Sequence, residues 1–173
     1  MNGKQLKNSI LQWAIQGKLV PQDPNDEPAS VLLERIRAEK ARLVKEKKIK
    51  KDKNESIIYR GEDNSYYEKF LATGEVKCID EEIPFEIPAT WEWCRLLSIV
   101  SLLGDGIHGT PEYSEGGSVY FINGNNLFDG QILIKPDTKT VSKEEAVKHS
   151  RLLNESTVLV SINGTIGNIA FYS

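Results

Sequence analysis

The stretch that decides the fold is LVSINGTIGNIAFYS, residues 159–173. The apolar run 157–162 meets Asn163-Gly164-Thr165, and a second apolar run follows at 166–171. Asn-Gly between two apolar runs is a strong hairpin signal, because both residues accept the backbone angles that a tight turn requires. The pattern therefore predicts a β-hairpin whose polar loop is held rigidly between two strands.

Short strands and helices surround this hairpin in the second half of the chain. Alternating apolar residues predict further strands at 91–95, 119–122 and 132–134. The run SKEE at 142–145 is a capping box, which predicts a helix that ends near His149. Since no regular βαβ repeat is present, we predict the class α/β, with an irregular mixed sheet and short helices.

The first 52 residues carry two helical patterns, and we predict a helical arm here. Apolar residues recur at helical spacing over 5–16, and Gly17 stands where a helix would end. Residues 29–51 contain neither Gly nor Pro, and their narrow apolar seam consists of Leu32, Ile36 and Leu43. Such a seam is typical of a coiled coil or of a helix packed on one partner, either the first helix or a second copy. The alternative is a single solvated helix.

A polar segment separates the two parts. We interpret residues 53–83 as an irregular linker with a short helix near 66–71. The prolines that follow Ile83 and Ile87 force extended backbone, because the residue before proline avoids the α region. They mark the predicted start of a second domain over residues 84–173.

Charge is distributed unevenly along the 173 residues, whose formal net charge is −3. Residues 1–53 hold 13 Lys or Arg against 7 Asp or Glu, whereas residues 84–173 hold 6 against 10. The basic surplus fits a helical arm as well as it fits a nucleic-acid site. Cys78 and Cys94 lack metal-ligand spacing, and no signal peptide or membrane-length apolar run is visible, so we expect a cytoplasmic protein with reduced thiols.

No catalytic centre, cofactor site or metal site is predicted. The run GDGIHG at 104–109 matches a dinucleotide-binding pattern, but no helix follows it to face a pyrophosphate. His108 beside Asp105 would be a weak general-base pair, and a local hydrogen bond is the favoured interpretation. The acidic residues show no spacing typical of a nuclease.

Three polar loops beside strands form the candidate binding surface. Asn side chains pair with adenine edges through two hydrogen bonds, and lysines between the loops can contact phosphates. The alternative is that the Asn-Gly pairs serve only as turns. We predict DNA contacts from His108, Thr110, Tyr113, Asn123, Asn125, Asn126, Lys135, Asn163 and Thr165.

Four blocks of the sequence resemble the specificity (S) subunits of type I restriction-modification enzymes. Residues 6–43 look like the helical conserved region of that family, and residues 83–100 resemble the start of its target recognition domain. The runs at 104–117 and 119–132 resemble the first loop-and-strand segment of that domain, and residues 152–171 resemble a later hairpin.

The resemblance implies a non-catalytic subunit that reads one half of a split DNA sequence. It implies that residues 1–52 form spacer and assembly helices, 53–83 a linker, and 84–173 part of a target recognition domain. The helices would dock methylation (M) subunits, which bind S-adenosylmethionine and methylate adenine, while a restriction (R) subunit cuts DNA. No cofactor is expected in this chain. The family's loop and hairpin patterns match Gly106, His108, Thr110, Pro111, Gly164, Ile166 and Gly167.

Complete members of that family usually carry two recognition domains and two helical regions. We therefore expect this chain to be a fragment, from a truncated reading frame or an engineered piece. An incomplete sheet would leave an unpaired edge, so we expect self-association through that edge or through the helices. The alternative function is an assembly fragment that docks partner subunits through its helices without reading DNA.

Overall fold

The computed structural model describes residues 2–149, 151 and 153–172. The chain divides into two compact units, one up to Gly104 and one from Asp105 onward. Each unit combines short helices with small antiparallel sheets, which confirms the predicted irregular, mixed α/β class. Residues 1 and 173, which bound the predicted domains, and Leu152, which begins the last family-like block, lie outside the described residues.

Helix α1 covers Gly3–Ile15 and begins with a cap that the sequence pattern did not single out. Asn2 Oδ1 accepts from Gln5 N at 2.9 Å, and Gln5 Oε1 accepts from Asn2 N at 2.8 Å. The helix ends as predicted at Gly17, whose φ is +67°. A Cβ at Gly17 would lie 2.6 Å from Pro88 Cγ, so this glycine also allows a close approach of residue 88.

Helix α2 covers Ala29–Lys45 and is shorter than the predicted helix to residue 51. Lys47 takes a left-handed conformation with φ +59°, and the next amide, Lys48 N, donates to Leu43 O at 2.9 Å. A lysine at this position carries no stop signal, since left-handed helix ends usually use glycine or asparagine. The periodic pattern therefore overran the true end of the helix.

The packing face of α2 in the first unit differs from the predicted seam. Leu33 and Arg37 line a small cavity together with Trp93, and Lys40 Nζ donates to Leu97 O at 2.5 Å. Helix α2 thus packs against the short helix α3, Leu96–Ile99, rather than mainly against α1. The seam lies on the adjoining side of α2, where the side chains are exposed or half-buried, namely Leu32, Ile36 and Leu43. Their role against a partner helix stays a prediction.

The segment predicted as an irregular linker is a three-stranded antiparallel sheet. Its strands run in order as β1 (Ser56–Arg60), β2 (Tyr66–Phe70) and β3 (Val76–Cys78). The prediction of a short helix near 66–71 is wrong, because Tyr66 and Glu68 alternate inward on β2. A buried carboxylate at position 68 hides the strand pattern, since charged residues are normally read as exposed.

The strand predicted at 91–95 is also wrong, because these residues have no regular structure. Trp93 packs on Phe85 with ring centroids 5.3 Å apart, and Trp91 Nε1 donates to Gln22 Oε1 at 2.8 Å. Ala29 N further donates to Thr90 O at 2.9 Å. These contacts anchor the segment to Gln22, in the connection between α1 and α2, and to the start of α2, instead of to a neighbouring strand.

The described residues of the second unit form three two-stranded antiparallel ladders, one short α-helix and one 3₁₀ turn. Strand β4 (Val119–Tyr120) pairs with β7 (Thr140–Val141), and β5 (Leu127–Phe128) pairs with β6 (Gln131–Ile132). Strand β8 (Val158–Val160) pairs with β9 (Ile169–Phe171). Helix α4 covers Lys143–His149, and Ser142 Oγ accepts from Glu145 N at 3.1 Å, as the capping box predicts. The hairpin of β8 and β9 is confirmed, although its strands are shorter than expected. Within this unit, the described apolar residues that are buried include Leu127, Val141 and Ala170.

The described residues lack two kinds of feature, a membrane-spanning helix and a cluster of metal ligands. None of the helices in the described part of the chain is both long and apolar enough to cross a membrane. Over the same residues, no group of three or more His, Cys, Asp or Glu side chains is placed to hold a metal ion.

Candidate nucleic-acid interface

Two of the three predicted polar loops meet in the second unit. Asn168 Nδ2 donates to Gly124 O at 3.1 Å. A Cβ at Gly124 would lie 3.0 Å from Ser161 Cβ and 3.8 Å from Thr165 O, so glycine permits this close approach. We call residues 123–126 and 161–168 together the joined loops. The fold thus turns two separate sequence signals into one surface.

The loop between β8 and β9 is built around the buried side chain of Ser161. Its hydroxyl donates to Thr165 O and accepts from Asn168 N at 2.9 Å. Ser161 N donates to Asn168 O at 2.9 Å, which closes the loop eight residues long that the two strands leave between them. Gly164 and Gly167 have φ of +71° and +88°, values that glycine adopts without strain. The exposed side chains of Asn163 and Thr165 are therefore carried on a fixed backbone.

The other loop is held by two asparagine side chains. Asn123 Oδ1 accepts from Asn125 N at 2.9 Å and caps the 3₁₀ turn Gly124–Asn126. Asn126 is 4% exposed, and its amide donates to Leu133 O at 2.9 Å and to Thr138 Oγ1 at 3.0 Å. Asn126 Oδ1 also accepts from Asn123 N at 3.2 Å. This corrects the prediction that Asn126 contacts DNA, because its hydrogen-bonding groups are used inside the unit.

The exposed groups of the joined loops are uncharged, and they combine polar side chains with two apolar ones, Ile162 and Ile166. Asn123, Asn125, Asn163 and Thr165 are exposed, and residues 121–126 and 161–168 contain no charged side chain. Amides and hydroxyls that both donate and accept hydrogen bonds suit the edges of bases. A surface of this kind can distinguish hydrogen-bonding patterns, but it supplies little long-range attraction by itself.

Lys135 places a cation beside this uncharged surface. Lys135 Nζ donates to Asn125 O at 2.7 Å, and the Lys135 side chain is exposed. Its backbone is fixed as well, because Lys135 N donates to Thr138 Oγ1 at 2.7 Å. An ammonium group at the rim of a polar surface is suited to a phosphate contact.

The remaining predicted residues lie on the first loop and its base. His108 and Thr110 are exposed, and His108 Nε2 lies 3.3 Å from Asp105 Oδ2, the local contact that was expected. The Tyr113 ring packs edge-on against Phe121, with centroids 5.7 Å apart, and Lys139 Nζ lies 6.0 Å from its centroid. The backbone at position 113 also pairs with β7. Tyr113 therefore lies beside β7, and its ring contacts Phe121, the residue that follows β4 and precedes the joined loops.

The first loop does not have the geometry of a dinucleotide site. The run 104–109 continues into β4, and no α-helix lies between them in the described part of the chain. All three glycines of the run, Gly104, Gly106 and Gly109, face open space, where a Cβ would meet nothing within 4 Å. A phosphate cradle of backbone amides at a helix start is therefore absent from this described segment.

Sequence reasoning missed two residues that build the surface, Ser161 and Asn168. Both are small polar residues within a turn-rich stretch, and nothing in their spacing distinguishes them from solvent-exposed neighbours. Asn168 forms its contact across 44 positions of the chain, so only the folded arrangement reveals it.

Known proteins resemble this chain in sequence over most of its length. Over 163 residues the chain is 39% identical to the type I restriction enzyme EcoAI specificity subunit of Escherichia coli. The matched region covers 94% of the chain and 24% of that subunit. Over 161 residues it is 34% identical to the EcoEI specificity subunit of the same species, with 92% and 24% covered. No family model and no solved structure matches the chain. The chain is therefore similar to two type I restriction enzyme specificity subunits, and it spans about a quarter of their length.

Proposed function

We propose that this chain recognises a specific DNA sequence as the specificity subunit, or a part of it, in a type I restriction-modification complex. The observation that carries the proposal is the hydrogen bond between Asn168 and Gly124, which unites two exposed amide-bearing loops. The similarity to two specificity subunits supports the same function. The chain itself is non-catalytic under this proposal.

In the proposed complex, the joined loops face the major groove of the duplex. Asn125 and Asn163 offer amides that can pair bidentately with adenine, and Thr165 offers a hydroxyl. Asn123 offers its amide N–H, because its Oδ1 already caps the 3₁₀ turn. Lys135 contacts a neighbouring phosphate and sets the register of the loops along the DNA. Because the loop backbones are fixed before binding, little conformational entropy is lost when the complex forms.

The partner subunits would perform the chemistry. The helical region, residues 1–52, would dock the methylation subunits, which bind S-adenosylmethionine and methylate a flipped-out adenine. The restriction subunit would cut the DNA, and the whole complex would act in the cytoplasm. Residues 84–173 would form the recognition domain. Residues 53–83, which include the three-stranded sheet, would connect the helical region to that domain.

The alternative function is an assembly fragment that binds partner subunits without reading DNA. Two observations favour it. Residues 105–173 hold five Lys or Arg against eight Asp or Glu, a balance that disfavours DNA binding. Helix α1 exposes several apolar side chains, among them Leu6, Ile10 and Trp13 at helical spacing. These side chains form a surface suited to a partner helix, from a methylation subunit or from a second copy.

Selection of bound DNA separates the two functions. The chain, alone and in complex with the methylation subunit, is mixed at low salt with a pool of randomised duplexes, and the retained duplexes are sequenced. We expect one motif to be enriched in the wild type. In Asn125→Ala and Asn163→Ala, particular positions of that motif should lose their base preference. If no motif is enriched while the methylation subunit still binds, the assembly function is correct. Methyl transfer or DNA cleavage by the chain alone would contradict the non-catalytic role.

A further inference from the structure

The first polar loop, residues 105–112, is held at both of its ends by one segment of the second unit. Arg151 Nε donates to Asp105 O at 3.2 Å. At the other end, Glu112 N donates to Glu145 Oε1 at 3.2 Å. Glu145 lies on α4, and Arg151 follows the end of that helix by two residues. Both contacts are between a side chain of this segment and the loop backbone.

The Glu145 carboxylate is itself fixed in place. Glu145 is 7% exposed, and its Oε2 lies 2.8 Å from Lys148 Nζ. Its Oε1 lies 3.4 Å from His149 Nε2. Since Ser142 Oγ accepts from Glu145 N, the helix start at this residue is fixed as well. A carboxylate with this many partners is a rigid acceptor for the loop amide.

The position of α4 beside the loop follows from the chain path. The base of the loop is bonded to β7, because Ser114 N donates to Thr140 O at 2.9 Å and Thr140 Oγ1 donates to Ser114 O at 2.5 Å. The helix begins two residues after β7 ends, so its first turn lies next to that base. Between the two tethered ends the loop contains Gly106 and Gly109, whose surroundings are open.

We propose that Glu145 and Arg151 are positioning residues, which hold the loop carrying His108 and Thr110 in the conformation that contacts duplex DNA. The proposal rests on the proposed DNA-recognition function and adds a second recognition element to the joined loops. Neither positioning residue touches DNA. Glu145 acts through Glu112 N, and Arg151 acts through Asp105 O. Each residue therefore influences sequence preference indirectly, by fixing the loop that contacts the bases.

The first arm of the test measures amide hydrogen exchange of residues 105–112 in the complete chain, without DNA. In Glu145→Ala the acceptor of Glu112 N is lost, and we expect exchange in this segment to become faster by about tenfold or more. Glu145→Gln keeps an oxygen that accepts from Glu112 N, so exchange stays near the wild-type rate. Lys148→Met removes an ion-pair partner but leaves the acceptor, and it serves as the matched control.

The second arm repeats the selection from randomised duplexes with the same variants. In Glu145→Ala we expect the motif to lose preference at a subset of positions while the positions read by the joined loops keep theirs. Glu145→Gln restores the full motif. Arg151→Met, which releases the other end of the loop, affects the same subset and provides a second variant if Glu145→Ala fails to fold.

We call the two contacts of Glu145 and Arg151 with the loop backbone the latch. The outcomes separate the existence of this latch from the proposed function. Unchanged exchange in both Glu145→Ala and Arg151→Met would overturn the latch. Faster exchange with an unchanged motif would overturn the role of the loop in recognition. If the wild-type chain enriches no motif at all, the proposed function fails, and with it the recognition role of the loop, whereas the exchange arm still reports whether the latch exists.

Discussion

Arg95 and Glu68 form a two-point ion pair in the first unit. Arg95 Nε donates to Glu68 Oε1 at 2.9 Å, and Arg95 Nη2 donates to Glu68 Oε2. Glu68 is 4% exposed on β2, and its Oε1 also accepts from Ser56 Oγ at 2.5 Å. Arg95 Nη1 lies 2.8 Å from Glu82 Oε2, so one guanidinium joins the central strand to the 3₁₀ turn that follows the sheet.

Removing Glu68 should destabilise the first unit. We expect Glu68→Ala to lower the free energy of unfolding by about 2 kcal/mol, because two charge-assisted hydrogen bonds and the Ser56 contact are lost. Chemical denaturation measures this change. Glu62→Ala is the matched control, because Glu62 is exposed in the turn between β1 and β2. Equal stabilities of the two variants would show that the ion pair makes no net contribution to the free energy of unfolding.

The same pair predicts how stability depends on pH. The Arg95 guanidinium, and then the Ser56 hydroxyl, hold the pKa of Glu68 below its ordinary value. A depressed folded-state pKa means that the contribution is complete above the unfolded-state pKa of about 4.3 and is lost as the pH falls through the folded-state pKa.

We therefore expect the stability difference between wild type and Glu68→Gln to be constant near neutral pH and to shrink below roughly pH 5. Denaturation curves recorded at a series of pH values measure it. A difference that persists undiminished down to about pH 3 would contradict the assigned pKa direction.

The contact between the joined loops can be tested apart from DNA contacts. Asn168→Asp replaces the amide donor by a carboxylate that faces Gly124 O, so we expect a loss of about 1–3 kcal/mol in unfolding free energy and weaker DNA binding. Asn163→Ala removes an exposed amide, so stability should change by less than about 0.5 kcal/mol while DNA binding weakens. If Asn168→Asp retains full stability, the hydrogen bond does not hold the loops together.

Close approach at Gly124 provides a second test of the same contact. Gly124→Ala would place a Cβ 3.0 Å from Ser161 Cβ, which requires the loops to move apart by a few tenths of an ångström. We expect a destabilisation of about 1 kcal/mol from this overpacking. Gly3→Ala, where a Cβ meets nothing within 4 Å, should be neutral or stabilising. Thermal unfolding of both variants compares them directly.

Lys135 should contribute to affinity without contributing to sequence preference. We expect Lys135→Ala to weaken binding of all duplexes by a similar factor and to reduce the slope of log affinity against log salt by about one. Lys69→Ala, an exposed lysine in the first unit, is the control. A change in the enriched motif would instead mean that Lys135 reads a base.

Local signals predicted those elements whose ends carry special backbone chemistry. Gly17 ends α1, Ser142 caps α4, and the Asn-Gly pair at 163–164 lies in the loop of a real hairpin. The end of α2 escaped prediction because Lys47, not glycine, takes the left-handed conformation. The start or end of a helix can therefore be predicted from the sequence where a glycine or a serine determines it. It cannot be predicted where packing determines it.

Long-range pairing accounts for the other differences. The sheet at residues 56–78 was missed because the charged residue Glu68 is buried on β2, where it pairs with Arg95, 27 positions away. Asn126 looked like its exposed neighbours Asn123 and Asn125, yet its amide bonds to Leu133 and Thr138. The composition of a polar loop predicts that it is a loop, but it does not tell which of its amides face solvent.

The contact between Asn168 and Gly124 has a consequence for protein engineering. Replacing residues 121–134 with the corresponding segment of a relative, to change the proposed DNA target, would also replace one of the two joined loops. The contact between that loop and residues 161–168 would then have to form again. The incoming loop would have to leave room opposite Ser161 and present a carbonyl to Asn168. New specificities should therefore be obtained by exchanging both segments as a pair, and single-segment chimeras should fail in folding before they fail in selectivity.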